Sequence, residues 1–258
     1  VTVIKVFDTR NALSLMSAAY FGHPAKEMIT IGITGTKGKT TTSYMLQAIS
    51  EKAGKKTGVI GTIGAVYGQA RIETLNTTPE SYELQKIFRS MADAGCEYVV
   101  MEVSSQGLMM HRVDGFTFDY GIFTNISPDH IGEGEHASFD EYLYFKSLLF
   151  RQCKVGIINC DDEKWEEVIE DSLCEIKTFG LSENAGLRGF HVEYVKEAGF
   201  LGIRFQTSGV LNMDIKANVI GEFNVYNALS AILTCSHFGI KEEEFADALY
   251  HISVKGRG

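Results

Sequence analysis

A chain of 258 residues, 45% of them hydrophobic, is long enough for one large domain with a full core. Its formal net charge of -9 excludes the net basic field of a broad nucleic-acid surface, and no apolar run reaches the roughly 18 residues of a membrane span. Cys96, Cys153, Cys160, Cys174 and Cys235 are odd in number and lack C-x-x-C spacing, which favours reduced thiols in the cytoplasm over a disulfide framework or a zinc site.

Val1 to Phe7 is a β-branched run, and Asn11 to Phe21 carries apolar residues at helical spacing that Gly22-His23-Pro24 terminates. Met28 to Ile33 reads as a buried strand and Thr40 to Ala53 as a helix, joined by the run GITGTKGKTTT from Gly32 to Thr42. Gly35 and Gly38 let the backbone reverse sharply there. The N–H groups of the helix start then point at one spot, Lys39 adds a full positive charge, and the Thr40 hydroxyl suits Mg²⁺. The loop is a variant of G-x-x-x-x-G-K-[ST], with Ile33 at the first glycine position. An ordinary strand-turn-helix junction needs the glycines but has no use for an exposed Lys39-Thr40 pair, so the run predicts phosphate, hence nucleotide, binding by Gly35, Thr36, Lys37, Gly38, Lys39, Thr40 and Thr41.

Strands follow near Thr57–Ile63 and Ala65–Glu73, then a helix from Pro79 to Ala94 with the proline in its first turn. Glu97–Val103, Tyr120–Thr124 and Val155–Asn159 are the apolar runs of parallel strands covered on both faces. The alternation of strands and helices gives βαβ units, and hence an α/β fold with a mainly parallel sheet flanked by helices. From Gly189 to Ile215 short alternating stretches predict a small antiparallel subsheet, and helices at Asn224–Phe238 and Glu242–His251 close the pattern.

Glu102 ends the EYVVMEV strand, at the sheet edge where ligands bind in open α/β folds, and can hold the Mg²⁺ that Thr40 also touches; a solvated strand-end acid is the plainer reading. His130, in TNISPDH, emerges at the same edge, equally as a structural histidine or a metal ligand. Lys146 borders the apolar stripe of the Phe139–Phe150 helix. It is either a snorkelling lysine or an amine whose lowered pKa permits reaction with carbon dioxide to a carbamate. Asn76-Thr77-Thr78 can cap the following helix or grip a ligand, Ser104 follows Glu102 closely, and Arg112 can clamp an anion bidentately or sit at the surface. Asn224 is the expected helix N-cap, which leaves the Asn227 amide for a ligand.

The segments TGTKGKTT, NTTPES, MEVSS with HRV, NISPDH, EYLYFKSLLF, GEFNVYNALSAI and VKGR, in this order, resemble the Mur ligases, most nearly their muramyl-tripeptide synthetase branch. The resemblance covers Thr34 to Arg257. It implies ATP-dependent amide formation in peptidoglycan synthesis: the terminal carboxylate of a UDP-N-acetylmuramyl-dipeptide is phosphorylated and an amino acid's amine displaces phosphate. It further implies two Mg²⁺ sites, Thr40 and Glu102 at the first, His130 and a carbamylated Lys146 at the second. Asn76, Thr77, Thr78, Ser104 and Arg112 would meet the UDP-linked substrate, and Asn227 and Arg257 the nucleotide. Met110 departs from the polar residue frequent there, and the stretch between His130 and Lys146 is longer than in many members. Both ends of the sequence read as cut. Residues 1–25 are expected to be the exit from an N-terminal UDP-binding domain, 26–254 the central ATPase domain, and 255–258 the hinge to a C-terminal domain. A folylpolyglutamate or cyanophycin-type synthetase, and a non-catalytic nucleotide-binding module, are the alternatives.

Overall fold

The structure, a computed structural model, describes residues 3–129, 131–132 and 136–252. Its helices are α1 (Thr9–Tyr20), α2 (Lys39–Lys52), α3 (Ser81–Asp93), α4 (Ser105–Met109), α5 (Phe139–Ser147), α6 (Trp165–Ile169), α7 (Phe223–Ser236) and α8 (Glu242–Tyr250). The strands are β1 (Ile29–Thr34), β2 (Thr57–Gly61), β3 (Gly64–Tyr67), β4 (Ala70–Ile72), β5 (Tyr98–Glu102), β6 (Phe118–Phe123), β7 (Cys153–Asn159), β8 (Glu175–Gly180), β9 (Leu187–Glu197), β10 (Phe200–Gly209) and β11 (Asp214–Ala217). Among the described residues they form one eleven-stranded sheet in the order β11-β10-β9-β8-β7-β6-β1-β5-β2-β3-β4.

The strands from β2 to β8 through the centre run parallel, and two antiparallel pieces, β3-β4 and β9-β10-β11, extend the two ends. Successive residues of a strand face opposite sides, so an uninterrupted apolar run fills two cores at once. Val100, Ile31 and Ile33 pack beneath α2, α7 and α8 with Leu46, Leu229 and Ile232. Val99, Met101 and Phe123 pack on the other side with Phe88 of α3, Leu149 and Phe150. Because β1, β5, β6 and β7 are parallel neighbours, their carboxyl ends, and the loops that follow them, gather at one edge of the sheet.

The expected α/β architecture is the observed one, and the elements that differ do so for local reasons. Val3 to Phe7 forms no strand. The Ala65–Glu73 stretch is a hairpin of β3 and β4 that turns at Gly68. Pro79 precedes α3 instead of entering it: Glu80 is the N-cap, with extended backbone. Asn224 is not the N-cap of α7. Glu222 takes that place, and the Asn224 amide nitrogen donates to the carbonyl of Ile220 at 2.8 Å from inside the helix. The sequence reading had no place for α6 or β8. β8 pairs with β9 in parallel through Phe179–Leu187 and Gly180–Arg188, which joins the antiparallel meander to the main sheet.

Asp161, just past β7, secures this junction: its carboxylate accepts from the N–H of Leu181 and Ser182 and from the Tyr226 hydroxyl of α7. Burial pushes the Asp161 carboxyl up, but the hydrogen bonds from Ser182, Leu181 and Tyr226 outweigh it and hold it below the usual carboxylate range. A lowered carboxylate pKa contributes stability that is complete above the unfolded value, about 3.9, and is lost as pH falls through the folded one. Asp161→Asn is therefore expected to lower the Tm at neutral pH and to flatten its decline between about pH 5 and pH 3, measured by differential scanning calorimetry.

Candidate active site

The loop between β1 and α2 is held by the segment that follows β6. The Asn125 carbonyl accepts from Thr36 N at 2.9 Å, and the Asn125 side chain both accepts from Lys37 N at 3.0 Å and donates to Lys37 O at 3.0 Å. Thr124 Oγ1 donates to the same Lys37 carbonyl at 2.8 Å. Gly35, at φ +145°, runs so close to β6 that a Cβ there would lie 2.0 Å from Thr124 Oγ1. Gly38, at φ +90°, is the N-cap of α2, and a Cβ there would meet Asn227 Oδ1 at 2.4 Å. With Thr36 N and Lys37 N engaged, the first N–H groups of α2 face the cleft and give it an anion-binding terminus.

Opposite that terminus stands Glu102, 2% exposed at the end of β5. A buried carboxylate requires compensation, and three donors supply it. Thr40 Oγ1 donates to Oε1 at 2.9 Å, Thr62 N to Oε1 at 3.2 Å, and Thr62 Oγ1 to Oε2 at 3.2 Å. A hydroxyl and a carboxylate side by side are hard oxygen donors, the kind of group that Mg²⁺ would take. Among the described residues no group of three or more His, Cys, Asp or Glu is placed to hold a metal ion.

The cleft has a volume of about 610 Å³. It is lined by Thr36, Lys37, Gly38, Lys39 and Thr40 of the loop and helix start, by Asn76, Thr77, Ser104 and Arg112, and by Glu102 and Lys146. A larger groove of about 810 Å³ between α2, α8 and the β3-β4 hairpin lies away from the phosphate loop and brings together no comparable set of groups. Of the residues singled out in the sequence, Gly35, Thr41, Thr78 and Asn227 do not line the cleft. Thr41 is buried in α2. Thr78 Oγ1 donates to Glu102 O at 3.0 Å and accepts from Ser104 N at 2.9 Å, so it pins the strand end that carries Glu102. Asn227 lies under Gly38, where its Oδ1 accepts from Thr42 Oγ1 at 3.3 Å. Met109, and not Met110, reaches the cleft, while the Met110 carbonyl accepts from Arg10 Nε. His130 and Arg257 lie outside the described residues.

Arg112 is 7% exposed and fully engaged: Nε donates to Glu80 Oε1 at 2.9 Å and Nη1 to Thr78 O at 3.1 Å. Lys146, 2% exposed, donates to the Gly35 carbonyl at 3.0 Å and lies 4.4 Å from the Tyr142 ring centroid. Burial, then the charge of Lys39, push its pKa well below the usual lysine range, with Asp129 opposing. Sequence reading missed Thr62, Asn125, His136 and Tyr142. Their partners lie 31 to 106 residues away along the chain, and no local pattern marks them.

The model of the Mur ligase middle domain matches residues 33–235. The chain is 42% identical, over 99% of its length, to the UDP-N-acetylmuramoyl-L-alanyl-D-glutamate--2,6-diaminopimelate ligase of Clostridium botulinum (strain ATCC 19397 / Type A), of which it covers 52%. A solved structure bearing the same enzyme name superposes with a TM-score of 0.83 at 22% identity, over 99% of this chain and 54% of that one. Mycobacterium tuberculosis folylpolyglutamate synthase complexed with ADP gives 0.77 at 16% identity, over 98% of this chain and 64% of that one. The chain belongs to the Mur ligase family. It spans about half the length of the curated relatives it matches.

A lysine whose folded pKa is depressed opposes folding at every pH below its unfolded value, about 10.4, because the folded state must hold the amine neutral or bury its charge. Lys146→Met keeps the volume and removes that cost, and Gly35 O retains Lys39 as a donor. The variant is expected to raise the Tm at neutral pH by about 2–4 °C, a gain that shrinks as pH approaches about 10. Thermal melts across pH measure it; a Tm at or below wild type at neutral pH contradicts the assignment.

Proposed function

We propose that this chain is the ATP-binding central domain of an ATP-dependent amide-bond ligase of peptidoglycan precursor synthesis, which adds an amino acid to UDP-N-acetylmuramyl-L-Ala-D-Glu through an acyl phosphate. The observation that carries this reading is the single cleft that Lys39, Thr40 and the buried Glu102 line together with Ser104 and Arg112. The relatives named for joining 2,6-diaminopimelate to the UDP-linked glutamate make that diamino acid the preferred acceptor amine.

In this reading the phosphate chain of ATP lies on the N-terminus of α2 with Lys39 neutralising it, and the substrate carboxylate approaches from the Ser104–Arg112 end. A carboxylate oxygen forms a bond to the γ-phosphorus and the bond to ADP breaks. The amine nitrogen then attacks the acyl carbon, loses a proton, and phosphate departs with the C–O electron pair. No protein nucleophile takes part, so catalysis consists of holding mutually repelling anions together and balancing the charge that moves between them. Thr40 and Glu102 would hold one Mg²⁺, and His130 with a carbamate on Lys146 would serve a second; such ions supply Lewis-acid stabilisation of the phosphoryl oxygens. A neutral Lys146 amine plus carbon dioxide yields the carbamate and a proton, for which the buried, depressed amine is the suitable form.

Asn76 and Thr77 belong to the substrate end, and Asn227 and Arg257 to the nucleotide side. Residues 1–25 lead in from an N-terminal UDP-binding domain, 26–254 form the ATPase, and 255–258 lead to a C-terminal domain that selects the amino acid. The enzyme works in the cytoplasm, with its partners being the UDP-linked dipeptide and the amino acid.

In the full-length polypeptide, Lys39→Ala is expected to reduce amide formation from UDP-N-acetylmuramyl-dipeptide, diaminopimelate and ATP by at least about a thousandfold. Near-normal turnover would overturn the assignment, and glutamate addition to a folate in its place would make the chain a folylpolyglutamate synthase. Lys146→Ala is expected to lose activity that added acetate partly restores; a folded variant that no short carboxylate rescues argues against the carbamate.

A further inference from the structure

We propose that Tyr142 is a positioning residue that fixes the phosphate loop and the Lys146 amine relative to one another. Tyr142 is 1% exposed in α5, where hydrophobic packing alone would take a phenylalanine as readily. Its hydroxyl instead lies 3.1 Å from Thr36 Oγ1, in the phosphate loop, and Thr36 Oγ1 in turn accepts from Ser127 N at 3.1 Å. One helical turn further along, Lys146 Nζ sits 4.4 Å from the centre of the same ring. The His136 ring lies 5.3 Å from that ring and its Nε2 is 2.8 Å from Ser105 Oγ, which ties the substrate end of the cleft to the same aromatic brace.

The two ends of one side chain thus perform separable tasks. The oxygen holds the loop that would carry the nucleotide, and the ring holds the lysine where its amine meets the Gly35 carbonyl. A displacement of the lysine by about 1 Å is enough to cost catalysis on the order of a hundredfold, whereas a loosened loop is read first in nucleotide affinity. The role in turnover rests on the ligase reading, whereas the role in loop placement needs only that the loop binds a nucleotide.

The test uses the full-length polypeptide, with ADP and Mg²⁺ as the calorimetric probe and ligase turnover as the second measurement. Tyr142→Phe removes only the oxygen and is expected to weaken ADP binding by about fivefold to tenfold while the kcat stays near wild type. Combined with Thr36→Ala it should bind no more weakly than Thr36→Ala alone, since both remove one interaction. Tyr142→Leu removes the ring as well, and its kcat is expected to fall about a hundredfold below that of the phenylalanine variant with no further loss of ADP affinity. A merely structural tyrosine would lower the Tm without this division between affinity and turnover. Wild-type ADP affinity in Tyr142→Phe, strict additivity with Thr36→Ala, or a folded Tyr142→Leu that keeps the kcat of Tyr142→Phe each overturns the proposal. Should the leucine variant fail to fold, the phenylalanine variant and the double-mutant cycle decide. If the wild type forms no amide with any acceptor, the ligase reading fails while the ADP titrations still decide the placement of the loop.

Discussion

Two lysine amines meet one carbonyl oxygen in this molecule, and much of the site is arranged around that coincidence. Lys39 Nζ lies 2.7 Å and Lys146 Nζ 3.0 Å from Gly35 O. Two full positive charges so placed would repel by several kcal/mol even at the effective dielectric of a partly buried site, roughly 20. Burial decides which one yields. Lys39 borders the open cleft, whereas Lys146 is almost wholly enclosed and is pushed toward its neutral form. The same oxygen is therefore shared by two lysines in unlike settings, Lys39 at the open cleft beside the helix terminus and Lys146 enclosed and pushed toward its neutral form. This sharing requires the Gly35 carbonyl to face both, which follows from a backbone conformation and a closeness to Thr124 that only glycine permits.

The sheet supplies the rest of the constraint. Parallel strands deliver β1, β5 and β6 to one edge, so the phosphate loop, Glu102 and the Thr124-Asn125 clamp arrive together although they are distant in the chain. Glu102 is tolerable in its buried position because hydroxyls of Thr40 and Thr62 and one backbone N–H converge on it. Hydroxyl and N–H partners satisfy the carboxylate without bringing an opposite charge to it. A fixed lysine partner would have neutralised Glu102 permanently. The hydroxyl partners leave its charge available at the mouth of the loop.

How much of this could be read from the chain depends on the range of the interaction. The phosphate loop, the continuous apolar strands and the meander are written in runs of neighbouring residues, and Glu102 could be placed by its position at a strand end. β8 was invisible because EIKTFG is only partly buried and neither alternates cleanly nor runs apolar throughout. The helix start at Phe223 defeated the capping argument because Glu222 and the turn before it enclose the chain, leaving Asn224 to bond backward from within the helix. Thr62, Asn125, His136 and Tyr142 owe their importance to what lies across the cleft from them. In the sequence a tyrosine in FDEYLYFKSLLF is simply one more aromatic on a core stripe, and only the tertiary structure gives its oxygen a partner in another loop.

Arg112 is less available than its place in the sequence suggests. Arg112 appears in the sequence as a lone cation ready to grip an anion, yet its Nε and Nη2 are spent on Glu80 and its Nη1 on Thr78 O. Glu80 also receives Arg10 from α1. The three side chains together carry one net positive charge, spread over two guanidinium groups that share a carboxylate, and all of their geometry is fixed before any ligand is present. Such a cluster presents only a modest net charge to the cleft. The loop side of the cleft is built on the sheet edge itself, through Lys39, Thr40 and Glu102, whereas Glu80 and Arg112 stand outside the strands, where side chains can change without disturbing the sheet beneath them.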